Sequence, residues 1–146
     1  MNRFAVAALL TFTAAVSGLQ AKGPVPDFQR TESGLKYADL RPGKGAFPQP
    51  GQVCALLYRG WLYKDNKRGR QFDQCDNRKK PFTFTLGKGE VIKGWDEGVA
   101  TMKVGSKRAL IIPPELAYGH EGVGDEATGI PADATLLFEM ELISVH

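Results

Sequence analysis

The sequence contains few of the residues on which most enzyme chemistry depends, with two cysteines and two histidines among 146 residues. Cys54, Cys75, His120 and His146 do not have the usual spacing of a cysteine and histidine zinc site. No serine stands in a Gly-x-Ser-x-Gly turn, and the glycine-rich stretch 87–94 lacks the Gly-Lys-Ser/Thr ending of a phosphate-binding loop. We therefore predict no metal and no cofactor, and neither a hydrolase triad nor a nucleotide site.

The sequence also lacks a large excess of either positive or negative charge. The chain has 19 basic and 16 acidic residues, so its formal net charge is +3 and is spread along the sequence. This balance does not favour a nucleic-acid partner. The hydrophobic share of 42% and the charged share of 24% are typical of one globular domain with a single core.

The longest hydrophobic run lies at the N terminus. Residues 1–21 have one positive charge at Arg3, an apolar stretch over residues 4–16 and small residues near the end, which is the layout of a secretory signal peptide. Cleavage after Gly18 and cleavage after Ala21 both fit, and an uncleaved membrane anchor is the alternative, although the stretch is short for a membrane span. We expect an exported protein, periplasmic or secreted, without membrane attachment.

Export affects how the two cysteines are interpreted, because thiols meet an oxidising environment outside the cytoplasm. Cys54 and Cys75 either form a disulfide that closes a loop of 20 intervening residues or remain separate thiols. A disulfide of that span stabilises the fold by roughly 3 kcal/mol.

The pattern after the signal peptide predicts an α+β fold, in which an antiparallel sheet of about five strands carries one short helix on its apolar face. Residues 22–33 read as a flexible lead-in, and residues 34–146 as the folded domain. Strands are predicted within 34–40, 51–63, 81–87, 107–114 and 134–145, with a charged turn after the second. In the last strand, Leu136, Phe138, Met140 and Leu142 alternate with Glu139 and Glu141, so the four apolar residues face inward.

The helix is predicted over VIKGWDEGVATM, residues 91–102, where Trp95, Val99 and Met102 form one apolar stripe. A stripe of this kind is usually core. The number of large aromatic rings, however, favours a binding pocket in addition to core packing. Six of them lie on segments that can converge at one end of the sheet. An apolar pocket lined by rings is a common form of small binding site. The six are Tyr58, Phe72, Phe82, Trp95, Tyr118 and Phe138.

Four stretches of the chain carry a family resemblance. GQVCALLYRGWL, RQFD, KPFTFTLGKGEVIKGWDEGVATMKVGSKRALIIPPELAYG and GIPADATLLFEMELI resemble the FKBP-type peptidyl-prolyl cis-trans isomerases, over about residues 34–143. The resemblance implies an FKBP-like fold, rotamase activity and a pocket for the proline ring. It implies that ten residues line this pocket: Tyr58, Phe72, Asp73, Phe82, Val91, Ile92, Trp95, Tyr118, Ile130 and Phe138.

The resemblance also implies roles. Trp95 forms the floor of the pocket, the Ile92 N–H and the Tyr118 hydroxyl hold peptide carbonyls, and Asp73 is a polar group at the edge. Catalysis would rest on these four residues together with Tyr58, Phe72 and Phe138. For Asp73 the alternative is a structural ion pair with a basic residue such as Arg78.

The implied partners are X-Pro segments of unfolded or exported proteins and macrolides such as tacrolimus or rapamycin, bound by a monomer. The alternative is a chaperone or protein-binding module that uses the same pocket without catalysis. Residues 120–129 form a glycine-rich acidic loop longer than in the shortest family members. We predict a flexible loop there. A calcium site is the alternative, but the spacing of the acidic residues is not that of an EF-hand.

Overall fold

The computed structural model describes residues 26–146, so the predicted signal peptide and the start of the predicted lead-in lie outside the described residues. In residues 26–146, seven strands form one antiparallel sheet, and one α-helix lies across a face of it. The strands are β1 Gln29–Arg30, β2 Lys36–Arg41, β3 Val53–Lys64, β4 Lys67–Cys75, β5 Phe82–Thr85, β6 Lys107–Ile112 and β7 Thr135–Val145, and the helix is α1 Lys93–Ala100.

The sheet order is β1-β2-β6-β7-β3-β4, and β5 pairs with the first part of β3. This arrangement confirms the predicted α+β class and the sheet with one short helix. It corrects the strand count, because there are two more strands than the five or so that were predicted. No helix among residues 26–146 is both long and apolar enough to cross a membrane.

The stretch predicted as a charged turn is largely the strand β4. Asp65 and Asn66 have positive φ angles of 54° and 61°, which is the backbone of a tight two-residue hairpin turn. The chain therefore returns at once and pairs with β3 from Lys67 onward. Most side chains of this edge strand are exposed, so no hydrophobic alternation marks it in the sequence.

The predicted lead-in, residues 22–33, also contains regular structure. Gln29 and Arg30 pair with Tyr37 and Lys36 of β2, and Phe28 packs against a small cluster on the outer face of the sheet. The part from Phe28 onward is thus attached to the sheet.

The inner face of the sheet carries the main core, and α1 lies directly on it. The four apolar residues of β7 predicted to face inward are all buried, as are Trp95, Val99 and Met102. Two helix glycines allow the close approach, because a Cβ at Gly94 would lie 2.6 Å from Ile112 Cγ2 and one at Gly98 would lie 2.7 Å from Leu110 Cδ1. Larger residues at either position would push α1 away from β6.

A buried arginine on β6 holds the other end of the helix. The Arg108 guanidinium, 5% exposed, donates to the Gly98 carbonyl oxygen at 3.0 Å and to Asp39 Oδ1 at 2.8 Å. It also donates to the Thr101 hydroxyl. The last carbonyls of a helix lack intrahelical donors, so Arg108 satisfies one of them and fixes the end of α1 to the sheet.

Of the two alternatives for Cys54 and Cys75, the structure has separate thiols, and the possible disulfide is not formed. Cys75 lies opposite Tyr58, whereas Cys54 lies four residues earlier on β3. Four residues of a strand span about 13 Å, which is well beyond the Cα separation that a disulfide allows. Burial, and secondarily Asp96, raises the pKa of the Cys54 thiol, so this cysteine is a core residue of low reactivity.

Candidate active site

A cavity of about 200 Å³ opens between α1, β3, β4 and β7. Nine of the ten predicted pocket residues line it. The exception is Ile130, which is buried in the main core instead. The lining is Tyr58, Phe72, Asp73, Phe82, Glu90, Val91, Ile92, Trp95, Tyr118 and Phe138.

Trp95 lies at the centre of the rings. Its ring centroid is 4.7 Å from that of Tyr58, 5.2 Å from that of Phe138 and 5.7 Å from that of Phe82, with interplanar angles of 78°, 85° and 89°. Edge-to-face rings at these distances attract one another beyond their buried area. The indole Nε1 is buried and has no hydrogen-bond partner in the described chain. The rings thus form a rigid apolar floor.

The sequence at the start of α1 explains how Trp95 reaches this position. Ile92 is the residue before the helix and has an extended backbone, with φ of −60° and ψ of 152°. Gly94 brings the first turn against Ile112. Trp95 therefore points from the first turn into the cavity, where it is 5% exposed.

A bulge in β4 brings two consecutive residues to the same cavity. Asp73 lies opposite Gly60 and Gln71 lies opposite Trp61, so Phe72 is an extra residue in the pairing. Side chains of a regular strand alternate between faces, and a bulge interrupts that alternation. Gly60 makes room for the rings, since a Cβ there would lie 2.6 Å from Phe138 Cε1 and 2.9 Å from Phe72 Cζ.

Asp73 is held by Tyr58 and not by Arg78. The Tyr58 hydroxyl donates to Asp73 Oδ2 at 2.7 Å, and the Gln74 N–H donates to Oδ1 at 2.8 Å. Arg78 pairs with Glu141 on the outer side of the sheet, so the structural ion pair considered for Asp73 is absent. Burial first, and then the hydrogen bond to Asp73, raises the pKa of Tyr58 well above its ordinary value. Tyr58 is therefore a neutral hydroxyl donor.

Tyr118 forms part of the rim. It follows a 3-10 helix at Pro114–Leu116, and its side chain is 39% exposed. Burial and the negative charge of Asp73 raise its pKa. Its hydroxyl is therefore protonated at neutral pH and is available as a hydrogen-bond donor to a ligand.

The loop between β5 and α1 forms the opposite rim and is held by two carboxylates. Asp96 accepts hydrogen bonds from the Gly87 and Gly89 N–H groups at 2.9 and 3.2 Å, and Glu90 accepts one from the Thr85 N–H at 3.0 Å. The Ile92 N–H has no acceptor among residues 26–146. The loop thus presents one backbone donor beside the rings.

The acidic loop 120–129 is internally bonded. Asp125 accepts from the Thr128 N–H at 2.7 Å and from the Thr128 hydroxyl at 2.9 Å, and these bonds lower its pKa. The bridge between Val123 and Ile130 closes the loop. The described chain has no group of three side chains placed to hold a metal ion, so nothing in it supports a calcium site.

These groups suit a conformational reaction better than a covalent one. No thiol or histidine lines the cavity, and the two tyrosines hold their protons. What the cavity offers is an apolar floor, two acidic groups at the edge and donors from Ile92 and Tyr118. A cavity with these groups can hold an uncharged ring and offer hydrogen-bond donors to a carbonyl beside it.

Comparisons with known proteins identify the family. The model of the FKBP-type peptidyl-prolyl cis-trans isomerases matches residues 44–143. An FK506-binding protein of Neisseria meningitidis serogroup B is 46% identical over 113 residues, which cover 77% of this chain and 97% of that protein. The chain therefore belongs to the FKBP-type peptidyl-prolyl cis-trans isomerases and is a rotamase.

Solved structures agree with this assignment. The crystal structure of AtFKBP13 has a TM-score of 0.72 and 42% identity, and the match covers 82% of this chain and 99% of that one. FkpA from Escherichia coli has a TM-score of 0.69 and 39% identity, over 81% of this chain and 51% of that one. The FKBP fold predicted from the resemblance is confirmed.

Sequence reasoning missed Glu90 as a lining residue. Glu90 directly precedes Val91 and Ile92, which the resemblance placed in the pocket. Its position in the same loop is the signal from which it could have been predicted as a lining residue. The bulge in β4 had no signal in the residue pattern.

Proposed function

We propose that the enzyme accelerates rotation about X-Pro bonds by binding the twisted amide in the pocket above Trp95. The observation that carries the proposal is the apolar ring-lined cavity with a backbone donor, the Ile92 N–H, at its edge. Rotation breaks amide resonance and has a barrier of about 18–20 kcal/mol, but it makes and breaks no bond. No nucleophile or general base is needed.

The chemistry follows from the charge distribution of the amide. A planar amide has a larger charge separation between nitrogen and oxygen than a twisted one. Moving the twisted form from water into an apolar cavity therefore costs less free energy. A site that favours the twisted form over both planar forms lowers the barrier. In this proposal, Trp95 and Phe138 hold the proline ring, and the Ile92 N–H and Tyr118 hydroxyl orient the neighbouring carbonyls.

The proposal extends to the setting of the enzyme. The signal-peptide pattern of residues 1–21 supports export, and with it a role in the folding of periplasmic or secreted proteins. We propose that the enzyme acts as a monomer. The names of the FK506-binding relatives support the binding of macrolides such as tacrolimus in the same cavity. N-terminal sequencing of the mature protein and cell fractionation test the export.

The activity is tested on short X-Pro peptides with the protein lacking residues 1–21. We expect faster cis-to-trans exchange with Leu than with Glu before proline, because the floor is apolar. Phe138→Ala should lower kcat/KM by more than tenfold, and Trp95→Leu should lower it less because an apolar floor remains. Thr83→Val, on the exposed side of β5, is the matched control.

A variant effect counts only when circular dichroism shows a folded protein. If the folded wild type does not accelerate exchange but binds unfolded chains, the protein is a binding module and the catalytic proposal is wrong.

A further inference from the structure

A second and larger cavity lies at the tip of the β3–β4 hairpin. It has a volume of about 840 Å³ and lies between the hairpin and residues 131–135. We call it the hairpin groove. Leu62, Ile111 and Pro131 contribute apolar surface to it, while its other lining residues are mainly polar or charged. The lining of the groove is therefore mixed, with charged side chains around an apolar surface.

Positive charge is concentrated at this groove. Five cations line it, Lys36, Lys64, Lys67, Arg68 and Arg70, against two acids, Asp65 and Asp133. Five minus two gives +3, whereas the chain without residues 1–21, which contain Arg3, has 18 basic and 16 acidic residues and a net charge of +2. The rest of that chain therefore has a net charge of −1, and the excess positive charge lies at the hairpin groove.

The three lysines of the groove are not neutralised within the described chain. Arg68 pairs with Glu139 at 2.7 Å, and Asp133 contacts His120. Lys36, Lys64 and Lys67 form no ion pair among residues 26–146. Their charges are exposed to solvent, so they are available to an anionic ligand.

The hairpin groove and the active site lie along the same strand, β4. Arg70 lines the groove, and Phe72, two residues further, lines the pocket. The Arg70 guanidinium donates to the Gly129 carbonyl oxygen at 2.5 Å, so it also touches the loop that precedes Ile130. From Phe72 to Lys67 the strand covers about 17 Å.

We propose that the hairpin groove is an accessory subsite for an acidic segment of the polypeptide whose proline occupies the pocket. An extended chain covers about 3.3–3.6 Å per residue. Acidic residues about two to five positions from the proline would then lie beside Arg70 and Lys67. The proposal rests on the proposed function and adds a preference for clients with an acidic flank.

The pocket itself predicts the opposite preference next to the proline. Asp73 and Glu90 line the cavity, so an acid immediately before proline meets like charge. Client preference should therefore change sign with distance, acids being disfavoured beside the proline and favoured a few residues away. A uniform electrostatic attraction by a basic protein would not produce this pattern.

A competing interpretation gives the cations a different role. Charged residues on an edge strand prevent unwanted pairing with other sheets, and β4 is such an edge. That role predicts no dependence of catalysis on charges in the substrate. Peptide kinetics therefore distinguish the two.

The test compares peptides that share one Ala-Leu-Pro-Phe core. The first carries three glutamates directly outside this core, starting three residues before the proline or two residues after it. The second carries glutamines there, and the third carries the glutamates about ten residues away. We expect kcat/KM for the near-glutamate peptide to exceed the glutamine value about three- to tenfold at about 20 mM salt, and the ratio to approach one at high salt.

Two double variants locate the effect. K64E/K67E should abolish the preference and leave kcat/KM for the bare core unchanged, because neither lysine lines the pocket. K44E/K103E makes the same charge change near residues 103–105, at the other end of the sheet, and should preserve the preference. Equal rates with glutamate and glutamine on both sides of the proline, or equal losses in the two variants, would overturn the subsite.

The remaining outcomes are also decisive. Binding of anionic vesicles that depends on Lys64 and Lys67, without any peptide preference, would assign the hairpin groove to a membrane surface and overturn the proposal. If the wild type does not accelerate even the bare core, the proposed function fails, and that result is distinguishable from loss of the flank preference alone.

Discussion

The floor and the rim of the pocket are held by different forces. The floor consists of Tyr58, Trp95 and Phe138, which are 8%, 5% and 3% exposed and pack ring against ring. The rim includes Asp73 and Tyr118, which are exposed. Asp73 accepts a hydrogen bond from the Tyr58 hydroxyl at 2.7 Å, and the Tyr118 hydroxyl has no hydrogen-bond partner among residues 26–146. We expect the packing of the buried floor to depend less on pH and salt than the exposed rim does.

This difference assigns separate tasks to the two regions. A preformed floor offers the same apolar surface to every proline, because the ring does not vary between substrates. The residues around the proline do vary, and they meet the rim. Changes in the floor should therefore affect stability and catalysis together, whereas changes in the rim should affect catalysis with little loss of stability.

The largest effect is expected from Gly60→Val in the floor. The added side chain would overlap Phe138 and Phe72, whose nearest atoms lie 2.6 and 2.9 Å from a Cβ at that position. Overpacking of this kind should lower the free energy of unfolding by about 3 kcal/mol. Urea denaturation measures the loss, and kcat/KM on a Leu-Pro peptide should fall by more than tenfold in the folded variant.

The control for that experiment is Thr83→Val, an exposed change on β5 that should leave both quantities nearly unaltered. Wild-type stability of Gly60→Val would mean that the two phenylalanines move aside freely. The description of the floor as rigid would then be wrong.

A smaller and more selective effect is expected in the rim, from the hydrogen bond between Tyr58 and Asp73. Tyr58→Phe leaves the ring in the floor and removes only the donor to Asp73 Oδ2. The free energy of unfolding should fall by about 1 kcal/mol. Because the carboxylate then loses its orientation at the pocket edge, kcat/KM should fall several-fold.

A double-mutant cycle with Asp73→Asn separates this bond from the other effects of each change. We expect the double variant to lose less than the sum of the single losses, in both stability and kcat/KM. Additive losses would show that the two residues act independently and that Tyr58 does not position Asp73.

The same division separates what the sequence predicted from what it missed. The burial of the floor residues was predicted from the pattern, because Trp95 and Val99 lie on one helical stripe and Phe138 alternates with charged residues on β7. Their role as the floor of a pocket was implied by the family resemblance. Ile130 was placed in the pocket by resemblance but is buried beside it. Nothing in its local pattern distinguishes the two positions.

Most of the structure of the rim could not be predicted from the residue pattern. The strand β4 is exposed and highly charged, so it read as a turn, and its bulge at Phe72 depends on the register with β3. The partner of Asp73 also depends on register. Tyr58 reaches it across the two strands, whereas Arg78, which is closer in sequence than Tyr58, points to the outer face. Pairings of this type require the three-dimensional fold.

The smallest effect concerns the pH dependence of the connection between β4 and β5, which follows the rim residue Asp73 in the chain. Arg78, in the connection between β4 and β5, donates to both oxygens of Glu141 at 2.6 and 2.8 Å, and Arg41 donates to Oε2 at 3.0 Å. Burial raises the pKa of Glu141, but the hydrogen bonds and charges of the two arginines outweigh it, so the pKa lies below its ordinary value of 4.5.

The sign of the effect follows from this direction. A carboxyl group whose pKa is lower in the folded state contributes stability above its unfolded pKa, and loses that contribution as the pH falls through its folded pKa. Acidification below about 4.5 should therefore release the β4–β5 connection before the floor, because the rings do not titrate in this range. Hydrogen exchange at residues 76–80 should rise there while exchange in α1 stays unchanged, and Glu141→Gln should raise the exchange at 76–80 already at neutral pH and flatten its acid response. Equal acid sensitivity of α1 and residues 76–80 in the wild type would mean that the β4–β5 connection and the helix that carries the floor open as one unit.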